Sequence, residues 1–243
     1  MHFDQGDYEL KCEWGLPGVL ALAPISDAIV IVDILSFSTA VDIAVANGAS
    51  VLPYCDRDDG AQGFAKSKQA VLASRRRSTG AFTLSPLSLQ KIPGNTALVL
   101  PSPNGSSISL STGRTPTSAA CLRNAPAVAQ HLGQFASRIS VIPAGERWRD
   151  DTLRPCLEDL IGAGAVLSEL HGARSPEAEL AVAAFARFRN CLYDALRACG
   201  SGRELEARGF TRDIELAADF GTSAAVPVFV KDRFVNGTAM PLG

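Results

Sequence analysis

The stretch AIVIVDILSFST at residues 28–39 decides the fold of this chain. An apolar run such as 28–32, without polar alternation, is typical of a strand that is buried on both faces of a sheet. Asp33 follows this run directly, and hydroxyl residues then precede a helical pattern that ends at Asn47-Gly48, a common helix stop. The stretch therefore predicts a buried strand, a turn that carries a carboxylate, and a helix.

Further apolar runs of strand length alternate with helical patterns along the chain. Strands are predicted at residues 28–32, 50–54, 96–100, 139–142 and 226–230. Helices are predicted at residues 39–46, 59–75, 124–132, 157–170, 177–199 and 202–208. This alternation predicts an α/β fold, with a layered, largely parallel sheet and helices on both of its faces.

The region 78–95 is rich in Ser, Pro and Gly and is predicted to be a long loop. We expect residues 1–243 to form a single α/β domain. The alternative is two closely packed subdomains that divide near residues 78–95.

Composition argues against several classes of function. The 243 residues are 47% hydrophobic and 20% charged, with a net charge of −2 and a pI near 5.9, which disfavours nucleic-acid binding. No apolar run reaches membrane-spanning length, and the polar N-terminus does not resemble a secretory signal. The six cysteines form no CxxC pair and there are three histidines, so no zinc site is indicated. Reduced thiols in the cytoplasm are the simplest interpretation.

Candidate functional residues follow three of the predicted strands. Asp33 follows the first strand, an Asn-Gly-Ser-Ser turn at 104–107 follows the third, and Glu146 follows the fourth. Two more carboxylates, Glu158 and Asp159, open the next predicted helix. Because ligands bind at the carboxyl ends of strands in α/β sheets, we expect the four carboxylates to converge at one edge.

These residue types suit a metal-assisted reaction of a phosphate group. Carboxylate oxygens without histidine or cysteine favour Mg²⁺ over zinc. Candidate phosphate-binding groups are those of Ser38, Thr39, Asn104, Gly105 and Ser106. A cation beside an anion-binding loop is the arrangement that phosphoryl transfer requires.

Each of these motifs also has a purely structural interpretation. Ser36 or Ser38 can serve only as a helix cap, and Asn-Gly is a routine turn. Glu158 and Asp159 can be partners of the helix dipole, although that explanation does not extend to Glu146 at the preceding strand end.

Over about residues 28–230 the sequence resembles the 2-phosphosulfolactate phosphatase family. In the family motif, a strand is followed by Asp-x-Leu-Arg-Ala-Thr/Ser-Thr. Here this motif appears as DILSFST at 33–39, and ANGA follows at 46–49. Its Thr-Asn-Gly-Thr motif appears as PNGS at 103–106, and its Ala-Gly and Glu-Asp-x-x-x-Ala-Gly signature as AG at 144–145 with EDLIGAG at 158–164. Weaker matches lie at residues 84–86, 124–129, 202–205 and 209–214.

The resemblance implies an α/β enzyme that hydrolyses a phosphomonoester of a small 2-hydroxy acid with Mg²⁺, such as 2-phosphosulfolactate in coenzyme M biosynthesis. Asp33 and Glu146 are then the candidate catalytic residues, and Asp33, Glu158 and Asp159 the candidate metal ligands. Asp33 could be a ligand, a base or a nucleophile; Leu35 stands where aspartyl-phosphate phosphatases carry a second aspartate. The expected partner is a small anionic phosphoester, and binding to nucleic acid or to a membrane is not expected. A homodimer is a further possibility.

One departure from the family pattern concerns anion binding. Ser36 stands in place of the family's arginine, and Phe37 in place of its alanine. A guanidinium is a natural partner for phosphate or sulfonate, so another cation is expected to bind the substrate. Arg147 is the first choice and Arg154 the second, with the run at 75–77 as a further candidate.

Two other functions would fit an α/β fold. A non-catalytic anion-binding protein that retains the fold is the alternative to an enzyme. A dehydrogenase-like nucleotide-binding domain is disfavoured, because no GxGxxG follows the first strand.

Overall fold

The structure is a computed structural model that describes residues 4–55, 60–74 and 80–237. Its strands are β1 (Leu10–Cys12), β2 (Ala28–Val32), β3 (Ser50–Tyr54), β4 (Val71–Leu72), β5 (Ala97–Pro101), β6 (Thr117–Ala120), β7 (Ile139–Pro143), β8 (Glu146–Arg147), β9 (Leu153–Arg154), β10 (Pro227–Val230) and β11 (Arg233–Asn236). Its α-helices are α1 (Gly15–Leu22), α2 (Phe37–Ala46), α3 (Ala61–Ser67), α4 (Pro86–Leu89), α5 (Gly105–Ser109), α6 (Ala125–Leu132), α7 (Leu157–Ser168), α8 (Pro176–Phe188), α9 (Leu192–Ala198), α10 (Gly200–Ala207) and α11 (Thr211–Ala218). Short 3₁₀ turns lie at Ala23–Ile25 and Arg189–Cys191.

The main sheet has nine strands in the order β1-β7-β2-β6-β10-β11-β3-β5-β4. Contacts among β1, β7, β2 and β6 are parallel, as are those among β3, β5 and β4. The β10–β11 hairpin joins these two parallel groups through three antiparallel contacts. Three reversals of direction make β3, β5 and β4 run opposite to β2. The expected largely parallel α/β sheet is confirmed, in two halves of opposite direction.

Helices cover both faces of the central strand β2. Its residues Ala28, Val30 and Val32 pack in one cluster with α6, α7 and α8. Ile29 and Ile31 point to the other face and pack beneath α1. All five side chains are buried because both faces of the strand are covered, and its sequence is accordingly a continuous apolar run.

Several predicted elements differ from the observed ones. The helix predicted at 59–75 ends at Ser67 in the described part of the chain, because Val71–Leu72 instead forms β4 beside β5. The helix predicted at 177–199 is divided by the 3₁₀ turn Arg189–Cys191. The strand Thr117–Ala120 was missed, because its sequence TSAA has little strand character and pairing with β2 and β10 stabilises it.

The region 78–95 contains the short helix α4 in its described part. The hydroxyl of Ser85 donates to Asp213 Oδ1 at 2.6 Å, which ties this segment to α11. The strands on either side of the region, β4 and β5, pair in the same sheet. The arginine run at 75–77 lies outside the described residues. Within the described ranges, no helix combines the length and the apolar character needed to cross a bilayer.

Candidate active site

The turn between β2 and α2 is closed by its own side chains. Asp33 Oδ1 accepts the backbone N–H of Phe37 at 3.1 Å. Ser38 Oγ accepts the N–H of Asp33 at 2.9 Å and donates to Ile31 O at 3.2 Å, while Thr39 Oγ1 donates to Ile34 O at 2.8 Å. Ser38 and Thr39 are fully buried. Both hydroxyls donate within the turn, and their expected role in holding phosphate stays a prediction.

Asp159 connects three elements at the sheet edge. Its Oδ1 accepts the N–H of Ile34 at 2.8 Å, and its Oδ2 accepts the N–H of Gly145 at 2.9 Å. The side chain of Asp159 is 4% exposed and that of Glu158 is 3% exposed. The first turn of α7 is thus fixed against the residues that follow β2 and β7.

The predicted carboxylates come close enough to perturb one another. Burial, followed by the charges of Glu146 and Glu158, raises the pKa of Asp33 to about 7, against the opposing effect of hydrogen bonds from Phe37 and Gly105. Burial, followed by the charges of Asp33 and Glu158, raises the pKa of Asp159 well above its usual range. Asp33, Glu146, Glu158 and Asp159 therefore converge in space.

The loop after β5 approaches this cluster through a glycine. A Cβ on Gly105 would lie 2.9 Å from Asp33 Oδ2 and would also overlap the Phe37 ring, so no larger residue fits here. Ser106 Oγ accepts the N–H of Tyr54 at 3.1 Å and donates to Leu100 O at 3.3 Å. The buried Ser106 hydroxyl thus joins the ends of β3 and β5, and its expected role as a phosphate ligand stays a prediction.

The approach of this loop does not follow from a shared edge of a parallel sheet. Because β5 runs opposite to β2, their carboxyl ends would lie at opposite edges of a flat sheet. The short helix α5 instead packs against β2, β3, α1 and α2, and this packing places Gly105 beside Asp33. The loop after β5 thus lies beside the loop after β2, as expected. A shared carboxyl edge of the sheet, however, is the wrong explanation for the position of Asn104.

Asn104 holds the carboxylate of Glu146. Asn104 Nδ2 donates to Glu146 Oε1 at 2.8 Å, and the backbone N–H of Arg147 donates to the same oxygen at 3.0 Å. Arg147 Nε donates to Asn104 Oδ1 at 3.3 Å, and its Nη1 lies 3.2 Å from Asp151 Oδ2. Asp151 was not predicted; its spacing of four residues from Arg147 was the available signal.

A small hairpin carries both candidate arginines. In the antiparallel pair of β8 and β9, Glu146 lies opposite Arg154 and Arg147 lies opposite Leu153. Arg154 Nη2 donates to Ser201 Oγ at 3.1 Å, and its guanidinium carbon lies 5.7 Å from the centre of the Trp148 ring. Ser201, at the start of α10, was missed because nothing in the sequence relates it to residue 154.

A cavity of about 230 Å³ adjoins the Asn104–Glu146 pair. Its lining residues are Gly15, Leu16, Pro17, Asn104, Ser107, Ile108, Ala144, Glu146, Arg147, Asp151 and Leu153. The contribution of α1 was not predicted, because an apolar helix start carries no recognisable motif. The cavity gives room for a small ligand beside the carboxylate of Glu146.

A metal ion is compatible with the cluster, although no ligand set is already assembled. Among residues 4–55, 60–74 and 80–237, no three His, Cys, Asp or Glu side chains are arranged to hold an ion. The ion pairs between described residues also include none that gives Asp33, Glu158 or Asp159 a cationic partner. Buried, mutually repelling carboxylates that form no ion pair among the described residues fit a divalent cation, which would offset their charge.

The fold and the site define a class, an α/β protein with a buried carboxylate cluster beside a small cavity. The family model for 2-phosphosulpholactate phosphatase matches residues 18–232. A "Probable 2-phosphosulfolactate phosphatase" of Symbiobacterium thermophilum is 27% identical over 220 residues, which cover 85% of this chain and 92% of that protein. The chain belongs to the 2-phosphosulfolactate phosphatase family, and it is a phosphoric monoester hydrolase.

Proposed function

We propose that this protein hydrolyses the phosphomonoester of a small 2-hydroxy acid, 2-phosphosulfolactate or a close relative, with Mg²⁺ as cofactor. The family match and the name of the relative support the substrate class. The observation that carries the metal is the cluster of Asp33, Glu158 and Asp159, which is buried without a cationic partner in the described part of the chain. A role in coenzyme M biosynthesis and a cytoplasmic location belong to the same proposal.

In this proposal Asp33 and Glu158 hold Mg²⁺. Asp159 has a supporting role, because each of its oxygens already accepts a backbone N–H. These two bonds fix the residues after β2 and β7 relative to α7, and so fix Asp33 relative to Glu158. When bound, Mg²⁺ neutralises the phosphoryl oxygens and makes phosphorus more electrophilic.

Glu146 is the proposed acid–base residue. It is exposed, whereas Asp33 and Glu158 are buried, so water can reach it. Asn104 and the N–H of Arg147 both bind its Oε1, and they fix the carboxylate without using Oε2. Oε2 is therefore the atom that would take a proton from the attacking water or return one to the leaving oxygen.

Metal binding and turnover can be measured separately. EDTA-treated protein is titrated with Mg²⁺ in a calorimeter, and phosphate release from 2-phosphosulfolactate is then followed with and without Mg²⁺. We expect Glu158→Gln to weaken Mg²⁺ binding at least ~10-fold and to slow turnover. Glu169→Gln is the matched control, because Glu169 is an exposed carboxylate at the other end of the same helix.

Two outcomes would contradict the proposal. Equal Mg²⁺ affinities in the wild type and in Glu158→Gln would remove the metal from this cluster. Mg²⁺ binding without phosphate release from any small phosphorylated acid would favour the alternative, an anion-binding protein that retains the fold.

A further inference from the structure

The proposed substrate, 2-phosphosulfolactate, carries a carboxylate and a sulfonate besides its phosphate, so the site needs a further cation for a second acidic group. Ser36, which stands where the family has an arginine, is buried and uncharged. An anion that leaves water without a partner loses far more free energy than its other contacts return. The described residues around the cluster provide two arginines for this role, Arg147 and Arg154, and their surroundings differ.

Arg147 already has two partners. Its Nη1 forms an ion pair with Asp151 at 3.2 Å, and its Nε donates to Asn104 at 3.3 Å. Glu146 and Asp151 line the same cavity as Arg147, so two negative charges accompany its single positive charge there. A further anion beside Arg147 would have to compete with Asp151 for the guanidinium.

Arg154 has no carboxylate partner among the described residues, yet its guanidinium is held in place. Ser201 Oγ accepts from Nη2 at 3.1 Å, and the Trp148 ring lies against the guanidinium at 5.7 Å. A Cβ on Gly200 would lie 3.3 Å from Nη1, so the start of α10 closely borders the group. These neighbours orient the cation but leave its charge unneutralised.

The position of Arg154 points it to the carboxylate cluster. Opposite residues of an antiparallel pair share one face, so Arg154 lies beside Glu146. Glu146 accepts from Asn104, whose neighbour Gly105 lies against Asp33. Cys156 Sγ donates to the carbonyl oxygen of Arg154 at 3.4 Å, and Cys156 is the N-cap of α7, whose first turn carries Glu158 and Asp159. Arg154 is therefore next to the proposed metal ligands, on the hairpin face away from Arg147.

We propose that Arg154, rather than Arg147, binds the second acidic group of the substrate, its sulfonate or carboxylate, with Ser201 as a positioning residue. The planar guanidinium offers two parallel N–H donors, which match the oxygens of either group. This inference rests on the proposed function, because it specifies how the same site recognises its substrate. It reverses the order of the two arginines expected from sequence.

A structural role for Arg154 is the competing explanation. Its charge could simply offset that of Glu158 and Asp159 in the absence of a ligand. In that case removal of Arg154 would lower stability and affect all phosphoesters alike. A comparison between substrates separates the two roles.

The test uses a substrate with an acidic tail, 2-phosphosulfolactate, and one with a neutral tail, 4-nitrophenyl phosphate. Arg154→Gln is expected to raise the KM for the acidic substrate about 10- to 100-fold, the range for a lost hydrogen-bonded charge pair, and to raise it much less for the neutral one. Arg154→Lys should restore part of the loss, and Ser201→Ala should raise the KM for the acidic substrate by a smaller factor. Arg149→Gln removes an exposed arginine from the same hairpin and serves as the control.

Binding of the dephosphorylated acid, sulfolactate, is measured by calorimetry in parallel and requires no turnover. If the wild type hydrolyses neither substrate, the proposed function fails, while weaker sulfolactate binding by Arg154→Gln would still support the assignment of Arg154. Equal KM changes on both substrates, or sulfolactate affinity unchanged in Arg154→Gln, would overturn it. A selective loss in Arg147→Gln but not in Arg154→Gln would assign the second acidic group to Arg147.

Discussion

Replacement of Asp33 by Asn is expected to make the metal-free protein more stable at alkaline pH while it abolishes activity. Burial and the neighbouring charges of Glu146 and Glu158 raise the pKa of Asp33 from 3.8 to about 7. Below about pH 4 the carboxyl is protonated in both the folded and the unfolded chain. As the pH rises towards 7, the unfolded chain releases this proton but the folded protein retains it, so the fold is progressively destabilised.

The size of the effect follows from the difference between these two pKa values. A shift of about 3 units corresponds to ~4 kcal/mol of destabilisation above pH 7, at 1.36 kcal/mol per unit. An Asn side chain can still accept the N–H of Phe37 through its oxygen, but its NH₂ group cannot accept from Gly105, a loss of about 1 kcal/mol. We therefore expect Asp33→Asn to gain roughly 2–3 kcal/mol of unfolding free energy near pH 8.

Urea denaturation of EDTA-treated wild type and Asp33→Asn, at about pH 5 and about pH 8, measures this difference. The advantage of the variant should grow by about 2–3 kcal/mol between the two pH values, because up to about pH 7 the folded wild type retains the Asp33 proton that the unfolded chain has already released. Mg²⁺ should stabilise the wild type and leave the variant nearly unchanged. A variant that is less stable than the wild type by the same amount at both pH values would refute the reasoning.

Three further predictions address the loop, the core and the surface. Asn104→Ala should lower kcat/KM by ~10²-fold with an unchanged circular dichroism spectrum, because Asn104 holds the acid–base carboxylate; unchanged kinetics would contradict this role. Gly164→Ala places a Cβ against the Ala181 carbonyl, so urea unfolding should show a loss of about 3 kcal/mol or more. Hydrogen bonds from Arg138 lower the pKa of Asp27 to about 2. This exposed ion pair should therefore stabilise the fold by less than about 1 kcal/mol above pH ~4, and this contribution should be lost towards pH 2. Equal stability of Asp27→Asn and wild type near pH 7 would contradict the prediction.

The amino-acid sequence alone was sufficient for the elements whose signal is local. The strands at 28–32 and 50–54 have the predicted bounds, because a run of buried apolar residues bounded by turns has few other structures. Asp33, Glu158 and Asp159 could be named as candidates from the sequence, because they directly follow a predicted strand or open a predicted helix. Their convergence was predictable for Asp33, Glu146 and the start of α7, since β2 and β7 are parallel neighbours.

Tertiary structure decided the direction of the sheet halves and the use of each polar group. Nothing in the sequence of β5 shows that it runs opposite to β2, because strand direction depends on pairing with the β10–β11 hairpin far along the chain. A hydroxyl such as that of Ser38 can bind phosphate or a backbone carbonyl, and only the folded turn shows that it binds the carbonyl. The same holds for the arginines: position in the sequence favoured Arg147 over Arg154, whereas only the folded hairpin shows that Arg147 is paired with Asp151 and Arg154 with Ser201. Partners are chosen by contacts between residues distant in sequence, which is why local patterns predict the site but not the role of each residue in it.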